Sequence, residues 1–222
     1  MNNSSFLLKQ LTLEREMTFH NTAVLRYKIE YPEIYNDEFQ YCLGLVNRYW
    51  KKRALQYQRY IENTMYPAAV RQYLTAPDSA LPYEFMETFT LRMQNICIIS
   101  LTFDRYEFTG GAHGNTRRSS MTWELNSCRE LELCQLYRCS GHCRDEVLRQ
   151  VVSQIRQDPS LYFDHYENLA KETFDPDSFY CTPEGIVVYY QQYDIAPYSS
   201  GIREFLIPYG GCFLSPEVFC VI

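Results

Sequence analysis

Residues Asn95–Leu125 form the stretch that decides the fold, and they read NICIISLTFDRYEFTGGAHGNTRRSSMTWEL. Two segments in which apolar and polar residues alternate flank residues 110–115, Gly-Gly-Ala-His-Gly-Asn. Alternation with a period of two predicts strands, whereas closely spaced glycines predict a backbone that turns sharply or lets another group approach closely. We therefore predict a hairpin whose connection carries a conspicuous loop, and this loop is the best local candidate for a functional site.

The N-terminal part predicts a strand followed by a helix. Residues 18–34 alternate with a period of two, so we expect a strand that ends near Pro32. Asn36 and Asp37 then offer capping oxygens to a helix that runs to about Glu62. Its predicted buried stripe recurs at helical spacing and comprises Phe39, Cys42, Leu43, Val46, Tyr49 and Trp50.

The remaining elements complete an α+β pattern. An irregular stretch at 64–82 with one or two helical turns comes first, followed by strands from Tyr83 and at 117–125. A strand end with a short helix at 130–137 and helices at 145–157 and after Pro159 come next. The chain ends with a hairpin at 179–197 that turns at 183–185 and a last strand at 203–208. Strands, then helices, then strands imply an α+β fold in which helices cover one face of a mostly antiparallel sheet. We expect a strand-and-helix subdomain at 1–82 and an α+β domain at 83–222 that carries the loop, packed as one unit.

Composition narrows the class of partner. The chain has 222 residues, 46% of them hydrophobic, which is typical of a globular protein that buries a core. A net charge of −6 without a basic run argues against nucleic acid and against a membrane surface. The 20 tyrosines suit half-buried sheet faces and also surfaces that hold sugars or proteins.

Compartment signals point to the cytoplasm. No apolar run is long enough to span a bilayer, and Lys9 and Gln10 interrupt the apolar residues that follow Phe6. As written, the chain is expected to be cytoplasmic, with an extracytoplasmic location as the alternative if an export signal has been lost. The nine cysteines are an odd number and are scattered along a chain that is large enough to fold without disulfide cross-links. Reduced thiols are therefore expected.

Two arrangements of residues raise the question of catalysis or metal binding. His113 lies near Asp104, Arg105 and Glu107 in sequence, so its imidazole is a possible general base, although no nucleophile stands at a fixed spacing. The Cys-rich segment CRELELCQLYRCSGHC at 128–143 offers four possible zinc ligands, but it contains no paired CxxC. If the protein is exported, disulfides such as Cys139 with Cys143 become possible. We predict no catalytic residues, no metal and no cofactor.

A family resemblance rests on three elements in a fixed order. They are residues 110–115, the Ile-Ala-Pro-Tyr of 195–198 with Gly201, and Ile207 with Pro208. With them, the chain resembles a bacterial domain family of uncharacterised function that occurs in the extracellular part of RsiV, the lysozyme-sensing anti-sigma factor, and beside the catalytic domain of a peptidoglycan deacetylase. The residues before it, from about Thr18, resemble the companion region of that domain. Relatives usually carry an anchor or signal, which this sequence does not show.

The resemblance implies a ligand-binding or sensing module of the cell envelope, whose ligand is a protein such as lysozyme or a glycan. It implies no established enzymatic activity, and a hydrolase acting on cell-wall or related substrates through the His113 loop is the alternative. Small residues of the loop offer main-chain hydrogen bonds, while tyrosines around Pro197 offer an apolar wall with polar tips. The predicted ligand-binding residues are Gly110, Gly111, His113, Asn115, Tyr193 and Tyr198.

Overall fold

The computed structural model describes residues 5–77 and 80–220. Its strands are β1 (Leu7–Phe19), β2 (Thr22–Tyr35), β3 (Tyr83–Asn95), β4 (Ile98–Phe108), β5 (Asn115–Glu124), β6 (Arg129–Glu130), β7 (Phe179–Cys181), β8 (Gly185–Tyr190) and β9 (Arg203–Pro208). Its α-helices are α1 (Gln40–Tyr60), α2 (Tyr66–Thr75), α3 (Cys143–Ile155) and α4 (Tyr166–Glu172). The α+β prediction is confirmed, because the sheets are mostly antiparallel.

The described residues form two compact units. The first comprises residues 5–77, 80–89 and 103–116, and the second comprises residues 90–102 and 117–220. The strand order is β1-β2-β3-β4-β5-β6 in the larger sheet and β7-β8-β9 in the smaller one. The units interleave in sequence, and the division predicted between residues 82 and 83 stays a prediction.

The first unit opens with a long antiparallel hairpin. Strand β1 pairs with β2 from Leu7 opposite Tyr35 to Phe19 opposite Thr22. His20 and Asn21 form the connection, both with positive φ, which is the backbone of a two-residue turn that matches strand twist. Strand β1 was not predicted, and β2 extends three residues beyond its predicted end near Pro32. Beyond Ile29, β2 no longer pairs with β3, so Pro32 lies where a missing N–H is tolerated.

Helices connect β2 to β3, and these two strands run parallel to each other. Leu25–Ile29 pair in parallel with Tyr83–Glu87, as a helical crossover between the strands allows. Helix α1 continues through a π-helical segment, Ile61–Met65, into α2. Pro67 lies directly after the π-helical segment, inside this continuous helix, so its missing N–H removes one helix hydrogen bond. The stretch predicted as irregular is therefore largely helical, although its residues 78 and 79 lie outside the described residues.

One face of α1 is buried as predicted, with two corrections. Cys42, Leu43, Val46, Trp50 and Ala54 are buried, but Tyr49 is 46% exposed. The N-cap is Phe39 without a side-chain cap, because the Asn36 side chain accepts a hydrogen bond from the Glu38 N–H instead. Sequence spacing alone placed the helix start too early.

The second unit has its own sheet and helices. Strand β8 pairs antiparallel with β7 and β9, and all six of its residues are buried. The predicted helix at 145–157 corresponds to α3, whose buried residues are Val147, Leu148, Val151 and Ile155. The last strand coincides with its predicted bounds. The predicted hairpin is confirmed for β7 and β8, which pair antiparallel across the turn before Gly185, but β8 ends at Tyr190, so residues 191–197 lie outside it.

Eight of the nine cysteines are disulfide-bonded, Cys42 and Cys128 among them, contrary to the prediction of reduced thiols. The structure pairs Cys97 with Cys220, Cys134 with Cys143, and Cys139 with Cys212. The suggested pair of Cys139 with Cys143 is therefore wrong; spacing along the chain does not determine which sulfurs meet in space. Cys181 is a free, buried thiol.

Among the described residues, no helix combines the length and the apolar composition that crossing a bilayer requires.

Candidate functional site

The predicted loop connects β4 to β5 and belongs to the first unit. Gly110 and Gly111 have φ of 93° and 95°, a backbone that residues with a Cβ rarely adopt. A Cβ on Gly110 would lie 2.9 Å from Nε2 of Gln72, so the α2 side chain covers this glycine. The positive φ explains why glycine stands at both positions, and the approach of Gln72 adds to this at Gly110 only.

Gly114 ends the loop against the preceding strand. A Cβ at this position would lie 2.4 Å from the Tyr106 ring and 2.6 Å from the carbonyl oxygen of Glu107. Such distances are too short for any real side chain, and the Glu107 backbone cannot move aside as a flexible side chain would. The loop end is therefore packed tightly onto β4, which fixes the loop's conformation.

His113 is exposed between these fixed glycines, and so is Asn115. The Nδ1 atom of His113 lies 3.0 Å from the carbonyl oxygen of Gly114. A carbonyl oxygen only accepts, so this bond places a proton on Nδ1. In the neutral ring the lone pair then lies on Nε2, which makes this atom an acceptor or a base.

Charged and aromatic side chains lie on the strand before the loop. Glu107 is paired with Arg105 at 3.0 Å and accepts a hydrogen bond from the Tyr60 hydroxyl at 3.4 Å. Arg105 also donates to the Tyr57 hydroxyl at 3.3 Å and lies over the Tyr57 ring. Burial, followed by the Glu107 charge, raises the pKa of Tyr60. The Glu107 carboxylate suggested as a neighbour of His113 is thus engaged by Arg105 and Tyr60.

The predicted tyrosines form an aromatic pair in the second unit. The rings of Tyr193 and Tyr198 have centroids 5.7 Å apart, and Tyr193 is 52% exposed with a φ of 70°. Between them, Ile195 is fully buried and anchors the segment to the core. Burial raises the pKa of Asp194, whose carboxylate accepts a hydrogen bond from the Gln191 N–H at 2.7 Å.

The structure brings the predicted residues together in two groups. Gly110, Gly111, His113 and Asn115 share the first unit, whereas Tyr193 and Tyr198 belong to the second. Each group is defined by contacts within its own unit. The hypothesis that both groups line one shared site stays a prediction.

The zinc hypothesis for residues 128–143 is wrong. Cys134, Cys139 and Cys143 form disulfides, and a disulfide sulfur is not the thiolate that zinc binds. Within residues 5–77 and 80–220, no group of three or more His, Cys, Asp or Glu side chains is arranged to hold a metal ion.

Sequence analysis missed the side chains that support the loop. Gln72 lies in the one or two helical turns predicted within the irregular stretch, but nothing marked it as a loop contact, and Tyr106 had the pattern of an ordinary strand residue. A signal for Tyr106 was present, because a glycine beside a strand indicates close packing by a neighbour. No local pattern indicated Gln72, which reaches Gly110 only through the fold.

Comparisons with known proteins divide the chain into two parts. Residues 141–210 match the model of a family described as "Protein of unknown function (DUF3298)". Residues 19–116, which include the loop, match a family model described as "Deacetylase PdaC". No curated protein sequence matches this chain.

Two solved structures resemble the whole chain. A member of the DUF3298 family from Bacteroides fragilis has a TM-score of 0.75 at 17% identity, over 99% of this chain and 98% of that one. A DUF3298 family protein from Pseudomonas aeruginosa has a TM-score of 0.59 at 18% identity, over 93% and 92%. At these identities the likeness shows the fold. Together the matches support an uncharacterised bacterial domain family.

Proposed function

We propose that this chain is a non-catalytic ligand-binding or sensing module of the bacterial cell envelope, and that its ligand is a glycan or a protein such as lysozyme. The observation that carries the proposal is the loop at residues 109–114. Contacts within its own unit fix the loop, while His113 and Asn115 stay exposed. A loop that is already ordered loses little conformational entropy when a ligand binds.

The loop offers a defined set of hydrogen-bonding groups. Gly111 is exposed, so its peptide groups are accessible without a side chain over them. His113 contributes an acceptor at Nε2, and the Asn115 amide both donates and accepts. These groups suit hydroxyls and amides, which glycans and proteins both carry.

A tyrosine pair supports the same proposal from the second unit, with Tyr193 exposed and Tyr198 half-buried. Tyr193 and Tyr198 present an apolar ring surface with polar tips, as residues at binding surfaces commonly do. We propose this pair as a second contact region. Its contribution is separable from that of the loop by mutation.

The disulfides support an extracytoplasmic location. Disulfides persist in oxidising compartments and are rare in the cytosol, where thiols are kept reduced. Three bonds, between Cys97 and Cys220, Cys134 and Cys143, and Cys139 and Cys212, therefore favour export of this chain. We propose that location in place of the cytoplasmic one.

The family matches support an envelope role, and the resemblance to RsiV suggests lysozyme as a ligand to test. The match to the deacetylase model favours a second candidate, a hydrolase. Its specific support is the tautomer of His113: Nδ1 donates to the Gly114 carbonyl oxygen, so Nε2 is the basic nitrogen of the neutral ring, as a general base requires. The two functions differ in whether a product is released.

One paired assay separates these functions. The full oxidised chain is incubated with soluble peptidoglycan fragments and, separately, with lysozyme; association is measured by calorimetry and product release by mass spectrometry. We expect saturable binding without product, and we expect His113→Ala to weaken binding about tenfold, or about 1.4 kcal/mol. His165→Ala is the matched control, because His165 is an exposed histidine of the other unit.

Two outcomes contradict the proposal. Product release that His113→Ala abolishes would establish the hydrolase instead. Absence of binding to both ligands, with the wild-type chain folded, would exclude both of the ligand classes that we propose.

A further inference from the structure

We infer that the first unit carries a second binding site, a shallow groove at the junction of β2 and α1 that takes a neutral sugar ring. This groove has a volume of about 290 Å³ and is lined by residues 34–37 and by Gln40, Leu43, Gly44 and Asn47. All of these residues lie within the first unit. The inference goes beyond the proposed function, because the groove uses none of the loop residues.

Gly44 is the first reason to regard the groove as functional. It lies in the interior of α1, where glycine destabilises a helix by about 1 kcal/mol relative to alanine. Nothing lies within 4 Å of the position that its Cβ would occupy. No packing contact therefore requires glycine here, whereas a side chain at this position would fill the groove.

The groove walls are ordered. The Asn47 side chain accepts from the Ile34 N–H and donates to the Ile34 carbonyl oxygen, both at 2.9 Å, so it continues the edge of β2 in place of a neighbouring strand. The Tyr35 ring is 43% exposed, with the Lys9 ammonium 5.0 Å from its centroid. The Tyr35 hydroxyl donates a hydrogen bond to the Glu33 carboxylate, so the ring is held from two directions.

The chemistry of the lining favours a sugar. Tyr35 offers an aromatic ring against which the C–H groups of a pyranose can pack. The exposed Asp37 carboxylate accepts hydrogen bonds, and the exposed Gln40 amide both donates and accepts. A pyranose has hydroxyl groups around an apolar face, so it matches this combination. The volume is at the low end for small-molecule sites and suits one or two sugar rings.

Charge restricts the ligand to a neutral one. The Lys9 ammonium beside Tyr35 repels a cation that would otherwise stack on the ring. The exposed Asp37 carboxylate lines the same groove and repels an anion. A neutral, polyhydroxylated ligand avoids both repulsions.

Three trisaccharides of different charge test the site. Chitotriose is neutral, its fully deacetylated counterpart is cationic, and trigalacturonate is anionic. Each is titrated into the full oxidised chain, and amide chemical shifts are followed by NMR. We expect saturable shifts at residues 34–47 with chitotriose, with a Kd on the order of 1 mM, and at least tenfold weaker binding of the other two.

Gly44→Gln tests whether the ligand occupies the groove. This variant should raise the melting temperature, because glutamine is a better helix former than glycine, and it should weaken chitotriose binding at least tenfold. Gly44→Ala is the matched control: it stabilises the helix similarly but adds only a methyl group, so binding should stay within about threefold of wild type. Tyr35→Ala should also weaken binding.

The inference is overturned if chitotriose causes no saturable shifts, if Gly44→Gln binds like wild type, or if a charged trisaccharide binds as tightly. His113→Ala should leave the shifts at residues 34–47 unchanged. If His113→Ala abolishes binding while Gly44→Gln does not, the sugar binds at the loop; the groove inference then fails and the proposed function stands.

Discussion

Burial changes the pKa of one carboxyl group, that of Glu87. Glu87 on β3 is 1% exposed, and its Oε2 lies 2.9 Å from Nη2 of Arg53. The Arg53 guanidinium lies 4.2 Å from the centroid of the Phe103 ring and so sits on an apolar surface. Burial raises the pKa of Glu87 to about 7, although Arg53 and Arg105 act to lower it.

This raised pKa predicts a pH-dependent stability. The ordinary pKa of the group is 4.5 and its folded value is about 7, so between these pH values the folded protein holds more protons than the unfolded chain. The free energy of unfolding therefore falls as pH rises through this window, by up to about 3 kcal/mol. Urea unfolding of the oxidised protein at pH 5 and pH 8 measures the effect.

The matched variants for this prediction are Glu87→Gln and Glu14→Gln. Glu87→Gln removes the titrating group, so its unfolding free energy should change less between the two pH values than that of wild type. Glu14→Gln alters an exposed residue of β1 and should retain the wild-type difference. Equal pH dependence in Glu87→Gln and wild type would contradict the assignment to this carboxyl.

Two glycines predict opposite effects of the same substitution. Gly114→Ala places a methyl group 2.4 Å from the Tyr106 ring, so the loop must shift, and we expect a loss of about 1–3 kcal/mol of stability. Gly44→Ala places a methyl group in open space on a helix, so we expect a gain of up to about 1 kcal/mol. Thermal unfolding measures both, and a neutral Gly114→Ala would show that the loop is not tightly packed on β4.

At the scale of elements, α1 tests which helix face is buried. Val46 is 1% exposed, whereas Tyr49, three residues further on, is 46% exposed. Val46→Asp should therefore abolish cooperative unfolding, because it buries an unpaired charge. Tyr49→Asp should cost less than about 1 kcal/mol. Circular dichroism melts compare them, and similar melting of both variants would contradict this packing.

Sequence periodicity predicted most elements because each element buries one face. It predicted β9 with the observed bounds and α3 with both bounds two residues too late. It missed β1, although Leu11, Leu13, Met17 and Phe19 all occupy odd positions and pack against the core. The parallel pairing of β2 with β3 was out of reach, because a strand's partner is determined by packing of distant residues.

Part of the candidate site could be predicted from the sequence, and part could not. The glycine spacing at residues 110–114 was sufficient to predict a tight loop, because a positive φ is a local property of the backbone. The cover of Gly110 by Gln72 depends on where α2 lies, so no local pattern predicts it. The groove at Gly44 had one local indication, a glycine in the interior of an otherwise regular helix.

At the scale of the whole molecule, disulfides constrain the unfolded chain to different degrees. Cys97 and Cys220 are 123 residues apart, whereas Cys134 and Cys143 are 9 apart. The chain-entropy estimate assigns about 5 kcal/mol to the longer loop and about 2.5 kcal/mol to the shorter one. We expect the double alanine variant of the first pair to lose more stability in urea unfolding than that of the second; the reverse order would show that loop entropy does not dominate.

The reactivity of the buried Cys181 thiol reports how often the folded protein opens. The other eight cysteines are disulfide-bonded, so Cys181 is the single site at which an alkylating reagent can react without reduction. Burial raises the pKa of its thiol to about 11, which suppresses the reactive thiolate while the fold is closed. The labelling rate of the native protein therefore measures how often the interior is exposed. A ligand that stabilises the closed state would lower this rate, and the size of the decrease would report how strongly the ligand binds.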